Sequence, residues 1–383
     1  MRPPSLIVLL SLYAFCSTFS IGAFPALLPE IGTAARLADW EIGLVAGLLG
    51  LARMVADVPA GLVVTHHLRR TLTVAPFLLT IGAVCLAGGG SLTLLALGRG
   101  LMGVGHAFAV VSGLTALLRF GSASTIGSAL TAFEMSAMTG VLGGTVLVGL
   151  LPSRLPWNVA LLISCAPLLF TFAVLPRVLT ALPRHPVAGA RPLFAREEGG
   201  CATSAPMTAG VFMAFAAGIG AALTYSTLEQ FVLLLRGHRE FGLDRHGIAG
   251  LLLIVQATDV VCLLPFGALV DRSSVGRVLG PILIAYGIGT VLIALGAFPF
   301  VIVGCVLYGV GIAGWPLPLG LLRRETPAER IGWRTAVYRV GVDAGIFAGP
   351  FLSGVLADRA PRVLPAICAT ALIAIGAFLL IRR

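Results

Sequence analysis

Runs of about 20 apolar residues recur along almost the whole chain, each long enough to cross a bilayer's hydrocarbon core as a helix. They lie near 5–28, 41–64, 71–90, 92–118, 123–150 and 157–176, then near 207–235, 247–270, 278–297, 299–322, 332–357 and 363–381. In hydrocarbon a backbone must satisfy its own polar groups, and runs of this length do so as helices. Only 11% of the 383 residues are charged, against about 25% in soluble domains, and mean hydropathy is +1.01. The expectation is an all-α membrane protein with twelve transmembrane helices.

A single long hydrophilic stretch, Arg177 to Pro206, interrupts the pattern. It divides the chain into a six-helix half over 1–176, a linker over 177–206 and a second six-helix half over 207–383. The halves repeat one another. Leu101-Met-Gly-Val-Gly105 in span 4 matches Leu307-Tyr-Gly-Val-Gly311 in span 10, and Gly140, Gly144 and Gly149 in span 5 match Gly345, Gly349 and Gly354 in span 11. Pro59-Ala-Gly61 is read as ending span 2, as Pro265-Phe-Gly267 ends span 8. Small residues at such spacings let helices approach closely. Two pseudo-symmetric halves around a linker are a transporter plan, with substrate bound near the midplane between them.

The net charge of +10 comes from arginine alone. With both termini in the cytoplasm, sixteen arginines fall on that side and seven on the other, leaving Arg53, Arg99 and Arg339 inside. That asymmetry orients a multi-pass protein of the cell inner (plasma) membrane with cytoplasmic termini. No basic stripe suggests nucleic acid. Six of the seven cysteines lie in apolar runs, Cys201 in the linker, and none has metal-ligand spacing. The apolar run Ser5–Leu28 is too long for a signal peptide and is read as the first span. No phosphate loop or nucleophile motif points to an enzyme. No cofactor or metal is expected. The expected partners are a small-molecule substrate, protons and the bilayer, with the chain acting as a monomer.

The loop Gly267-Ala-Leu-Val-Asp271-Arg272-Ser-Ser-Val-Gly276-Arg277 resembles the G-x-x-x-D-R-x-G-R signature of the major facilitator superfamily, with one extra residue. In the equivalent first-half loop, Thr65 stands for the family's Asp and His66 for its Arg. Leu97-Gly-Arg99-Gly-Leu-Met-Gly103-Val-Gly105-His106-Ala107 is similar to the family's fourth-helix motif, whose Arg is associated with proton transfer. Span 5 resembles the antiporter motif but has Thr145 where that motif carries Pro, which appears instead in span 11 as Gly349-Pro350. The resemblance covers the full length and is closest to the drug:proton antiporter branch. It implies the major facilitator fold and alternating access.

Charges inside apolar spans cost at least about 2.5 kcal/mol each and need partners. Arg53 and Asp57 lie in span 2, Arg339 and Asp343 in span 11. Their depths permit crossed pairs, Arg53 with Asp343 and Asp57 with Arg339, because spans 2 and 11 pack together in the resembled fold. Pairing within each helix at i, i+4 is the alternative. The functional reading is an inter-half latch on the cytoplasmic side that holds an outward-open state; the other is permanent neutralisation. Glu134 in span 5 and Asp259 in span 8 share a depth and are proton-coupling candidates, or else protonated structural residues. Arg99 is a candidate for proton transfer, a partner of Glu134, an anion ligand or a backbone anchor. His106, on roughly the same face, is a packed residue or a relay. Tyr225, Glu229 and Gln230 in span 7 lie at the cavity or at its rim. Phe15, Phe19, Phe24, Phe212 and Phe215 are candidates for its lining or for packing. Pro25 and Pro29 are read as ending span 1, Pro316 and Pro318 as interrupting span 10, and Gly218 with Gly220 as loosening span 7.

The expected function is a proton-coupled secondary active transporter that exports small amphipathic or drug-like molecules. The alternatives are a transporter of one metabolite or siderophore, in either direction, and a non-transporting membrane scaffold or sensor.

Overall fold

The computed structural model describes residues 6–120, 126–183, 207–327 and 330–381, without the side chains of 126–128, 271 and 332. The described residues form helices, joined by short turns: α1 (Leu6–Ala34), α2 (Asp39–Ala87), α3 (Leu92–Phe120), α4 (Ile126–Leu150), α5 (Trp157–Cys165), α6 (Phe170–Ala181), α7 (Ala209–Thr227), α8 (Leu233–Arg239), α9 (Arg245–Arg272), α10 (Val275–Leu295), α11 (Phe298–Ile312), α12 (Leu317–Arg324), α13 (Ile331–Leu356) and α14 (Val363–Ile381). Among the described residues eleven segments are long and apolar enough to cross a membrane, because spans 2 and 3 merge into α2. Its 49 residues hold one non-helical residue, His67 (φ −130°, ψ 38°). Gly103 of α3 packs on Leu49 and Ala52, while Gly105 packs on Ala75 and Leu79. A straight helix would separate Leu49 from Leu79 by about 45 Å. The helix therefore folds back at His67, and α3 contacts both limbs. Arg119 donates to the Thr65 carbonyl (3.1 Å) and Arg69 to the Leu182 carbonyl (2.7 Å), tying the reversal down.

Span 1 does not stop at Pro25 or Pro29. The helix runs through both to Ala34 and ends with Arg36 in the left-handed region (φ 52°), where the Leu37 N–H reaches back to the Gly32 carbonyl (2.9 Å). Each interior proline forfeits one backbone hydrogen bond, a loss that packed neighbours can offset. The limbs containing Pro59 and Pro265 likewise continue, to the His67 reversal and to Arg272. Span 10 does break: α11 ends at Ile312 and α12 begins at Leu317, after Pro316. Gly218 does not loosen α7. A Cβ there would lie 2.3 Å from the Tyr338 ring, so the glycine serves close packing. The departure from α geometry comes later, in a π-helical turn at Leu228–Val232. Helix α6 extends past the expected linker start at Arg177 to Ala181; 184–206, with Cys201, lies outside the described residues.

The sequence repeat is a packing repeat. Gly103 packs on the first limb of α2 as Gly309 packs on Val255 and Thr258 of α9. Gly140 and Gly144 press on Phe15 and Phe19 of α1, as Gly345 and Gly349 press on Ile219, Leu223 and Ser226 of α7. The third glycine of each set crosses to the other half, Gly149 to Ala249 and Gly354 to Asp39. Without Cβ atoms at these points the helix backbones close to contact distance.

Candidate functional site

One end of the molecule carries Arg69, Leu182, Thr208 and Glu325 and is termed the linker face; the opposite end is the far face. Between them, α2 and α13 meet along Gly43, Gly47 and Gly50 against Pro350, Phe347 and Ile346. One turn further towards the linker face lie the intramembrane charges. Arg53 Nη2 stands 3.0 Å from Asp343 Oδ1, and Arg339 Nη2 donates to Asp57 Oδ2 at 3.0 Å. This is the crossed arrangement, between α2 and α13 rather than within a helix. Arg339 is 38% exposed and Asp343 2%.

The seam has neighbours from two further helices. Glu134 of α4 and His106 of α3 are each within electrostatic reach of Arg53 and Arg339. Glu134 also faces Asp259 of α9. His106 joins the seam rather than Arg99, and its Nδ1 is buried without a hydrogen-bond partner among the described residues.

Nearer the far face lies a polar cluster centred on the π-helical turn. A π turn brings residues i and i+5 into line, and Gln230 Nε2 accordingly donates to the Tyr225 hydroxyl (3.2 Å). The same turn carries Glu229, whose Oε1 accepts from Gln256 Nε2 of α9 (2.8 Å). Glu229 is buried, so it is no solvated rim residue. The Tyr225 ring meets Trp315 edge-on at 5.8 Å, and its carbonyl accepts from the Tyr308 hydroxyl (3.0 Å). Arg99 of α3 lies within electrostatic reach of Tyr225. Its guanidinium sits 3.9 Å over the Phe24 ring and donates to the Val45 and Ala46 carbonyls (3.4 and 3.2 Å). The backbone anchor is therefore the contact it makes, although Nη1 stays buried and unpartnered. Phe19 stacks edge-on with Phe15 and covers Gly143, and Phe215 pairs with Tyr338, so these rings pack helices together. Phe212 is exposed on the outside of α7.

Sequence reasoning missed a third cluster, at the far face. Arg245 is fully buried, pairs with Glu30 through Nε (3.0 Å) and Nη2, and donates to the Leu155 carbonyl (2.9 Å). Arg239 forks onto Asp39, with Nη1 at 2.8 Å from Oδ2. Ser153 donates to Asp244 Oδ2 (2.6 Å), while Asp244 Oδ1 caps α9 at the Gly247 N–H (3.0 Å). The Ser153 hydroxyl, then the Gly247 N–H, hold the Asp244 carboxyl below its usual range. The arginines looked like loop charges, but each pairs with an acid some 200 residues earlier in the chain. The one signal was a lone Glu30 at the end of an apolar run.

The crossed pairs are present together with the far-face bridges and lie one turn from the Gly43–Gly50 contact. In the loop motif, Arg272 and Arg277 are exposed at the linker face, Gly267 has open space around it, and Gly276 approaches Leu379. The Asp271 side chain lies outside the described residues. Among the described residues no cluster of three His, Cys, Asp or Glu could hold a metal.

A multi-pass helical protein with charged and polar clusters shared between helices across its middle belongs to the class of membrane transporters rather than enzymes. The family model of the Major Facilitator Superfamily matches residues 10–258 and 210–383, and the chain belongs to that superfamily. No curated protein matches it in sequence. Among solved structures it is similar to the nucleoside transporter NupG (TM-score 0.74, 14% identity, 99% of this chain and 100% of that one). A point variant of NupG gives 0.75 and 15%, over 98% and 99%. The human organic anion transporter MFSD10 (TETRAN) gives 0.69 and 16%, over 99% and 100%. At such identities the likeness speaks for the fold.

Proposed function

We propose that the chain is a proton-linked secondary transporter of one defined, hydrogen-bonding, ring-bearing metabolite. The observation that carries this reading is the pairing of Glu229 with Gln256 and of Gln230 with Tyr225 around the π-helical turn. Buried groups of this kind reject ligands that leave them unpaired, and so select a complementary polar molecule. A drug exporter asks instead for a site dominated by apolar rings. The amides and carboxyl suit the edge of a heterocyclic base, and Tyr225 with Trp315 suit its face. The resemblance to NupG makes nucleosides the first compounds to try. The unpartnered Nη1 of Arg99 favours a second reading, an organic anion, in keeping with the likeness to MFSD10.

The architecture in this reading is twelve crossings in two six-helix halves, the limbs of α2 counted separately. Both termini and the linker are cytoplasmic at the inner membrane, and the molecule acts as a monomer. The far-face bridges and the partly exposed Arg339 then describe a state facing the cytoplasm. Glu134 and Asp259 remain proton-coupling groups, and the α9–α10 loop a conformational element.

The test is uptake into proteoliposomes of nucleosides, aromatic organic anions and amphipathic cations, with and without an imposed pH gradient. One chemical class should be moved, faster with the gradient. Glu229→Gln should slow that uptake roughly 10- to 100-fold, the worth of a hydrogen bond to a charged group. Equal movement of all three classes, or an unaltered rate in the variant, would overturn the assignment.

A further inference from the structure

We propose that the cleft between the end of α1 and α8, at the far face, binds a small anion, a carboxylate or a phosphate. The cleft has a volume of about 310 Å³, and its polar lining is Thr33 and Arg36 on one side and His238 and Arg239 on the other. Thr33 donates its hydroxyl proton to the Pro29 carbonyl (3.0 Å), which leaves three basic groups for a ligand. The nearby acids are already engaged. Asp39 holds both Nη atoms of Arg239, Glu30 holds Arg245, Glu240 holds Arg236, and Glu41 accepts from the Ala38 N–H (2.8 Å). None of them lines the cleft, and neither does Asp358, the other acid within electrostatic reach of Arg239. The Arg36 guanidinium has no ion pair or hydrogen bond among the described residues.

Arg36 also sits where an arginine is costly. It holds φ 52°, and the other left-handed residue among those described is Gly242. The bond from the Leu37 N–H to the Gly32 carbonyl (2.9 Å) closes α1 around it. Helices that end this way usually place glycine there, and a Cβ in that conformation costs about 1 kcal/mol. A cation in the last turn of α1 would suit the helix end equally well without the strain. The strained position instead puts a guanidinium at the lip of the cleft, with five donors and no protein acceptor. Opposite it, Arg239 uses both Nη atoms on Asp39 and keeps its Nε. His238 directs Nδ1 at the Leu243 carbonyl (3.2 Å), so its Nε2 donates to an anion when the ring is protonated. An anion here adds a link between α1 and α8, beside the Arg239–Asp39 and Arg245–Glu30 bridges. Its binding should therefore favour the closed far face.

Thermal unfolding of the full chain in phosphatidylcholine nanodiscs tests the site, with inorganic phosphate or acetate titrated at constant ionic strength. At least one of the two should raise the unfolding temperature along a saturable curve. Without anion, Arg36→Gly should unfold at a higher temperature than the wild type, because the strain is relieved. Its apparent affinity for the anion should fall at least tenfold. Arg362→Gln alters an exposed far-face arginine outside the cleft and should keep the wild-type curve. Nanodiscs of phosphatidylglycerol without added anion separate the sources of the ligand. They reproduce the rise if a lipid headgroup enters the cleft, and leave the added-anion curve intact if the ligand is a dissolved ion. No saturable rise with phosphate, acetate or phosphatidylglycerol would overturn the proposal. So would an unaltered curve in Arg36→Gly, or an equal loss in Arg362→Gln. None of these readouts involves transport, so failure of the transporter assignment would leave the site standing.

Discussion

Arg245→Ala should open the far face. The guanidinium is fully buried, paired with Glu30 and bonded to the Leu155 carbonyl, so truncation strands a carboxylate and a carbonyl together. Breaking a buried pair by removing one partner costs about 3–5 kcal/mol, and every 1.4 kcal/mol is about tenfold in an equilibrium. The population should move by two orders of magnitude or more towards a far-open form. Spin labels at the exposed far-face positions Ala34 and Arg362, one in each half, read this directly by double electron–electron resonance. A longer distance should dominate in the variant. An unchanged distribution would mean that Arg245 merely neutralises Glu30.

The second large effect belongs to the seam. Arg53→Met leaves Asp343, 2% exposed, beside a single arginine, and should lower stability by about 3 kcal/mol or more. Adding Asp343→Asn removes the stranded charge and should restore most of that stability, as replacement of both members of a buried pair often does. Transport should remain lost in the double variant, because one of the two crossed pairs between α2 and α13 is gone. Thermal unfolding in detergent and uptake in proteoliposomes separate the two effects. Recovery of both together would reduce the seam to packing.

The sequence was legible where hydrocarbon imposes strong constraints. Apolar run length located the helices, and matched glycines located the close approaches, since a missing Cβ at Gly103 or Gly309 has one packing use. The depths of Arg53, Asp57, Arg339 and Asp343 were also readable, and the crossed arrangement follows once α2 and α13 touch. Other features depend on partners far away in sequence. Pro25 and Pro29 look like helix ends, yet burial on α1 keeps the helix going. A π-helical turn leaves no clear mark in Leu228–Val232, so Gln230 and Tyr225 could be placed on one span but not in contact. Arg239 and Arg245 resemble ordinary loop charges, because the acids that hold them, Asp39 and Glu30, lie about 200 residues earlier. The far-face bridges were therefore invisible.

The central claim is that the halves must part at the far face for substrate to cross. It is tested by replacing Asp39 and Arg239 with cysteine in a background lacking the seven native thiols, and joining them with a short reducible bis-methanethiosulfonate reagent. Uptake into proteoliposomes should stop when the link forms and return when it is reduced. Undiminished uptake through a molecule fastened at its far face would contradict alternating access across this seam.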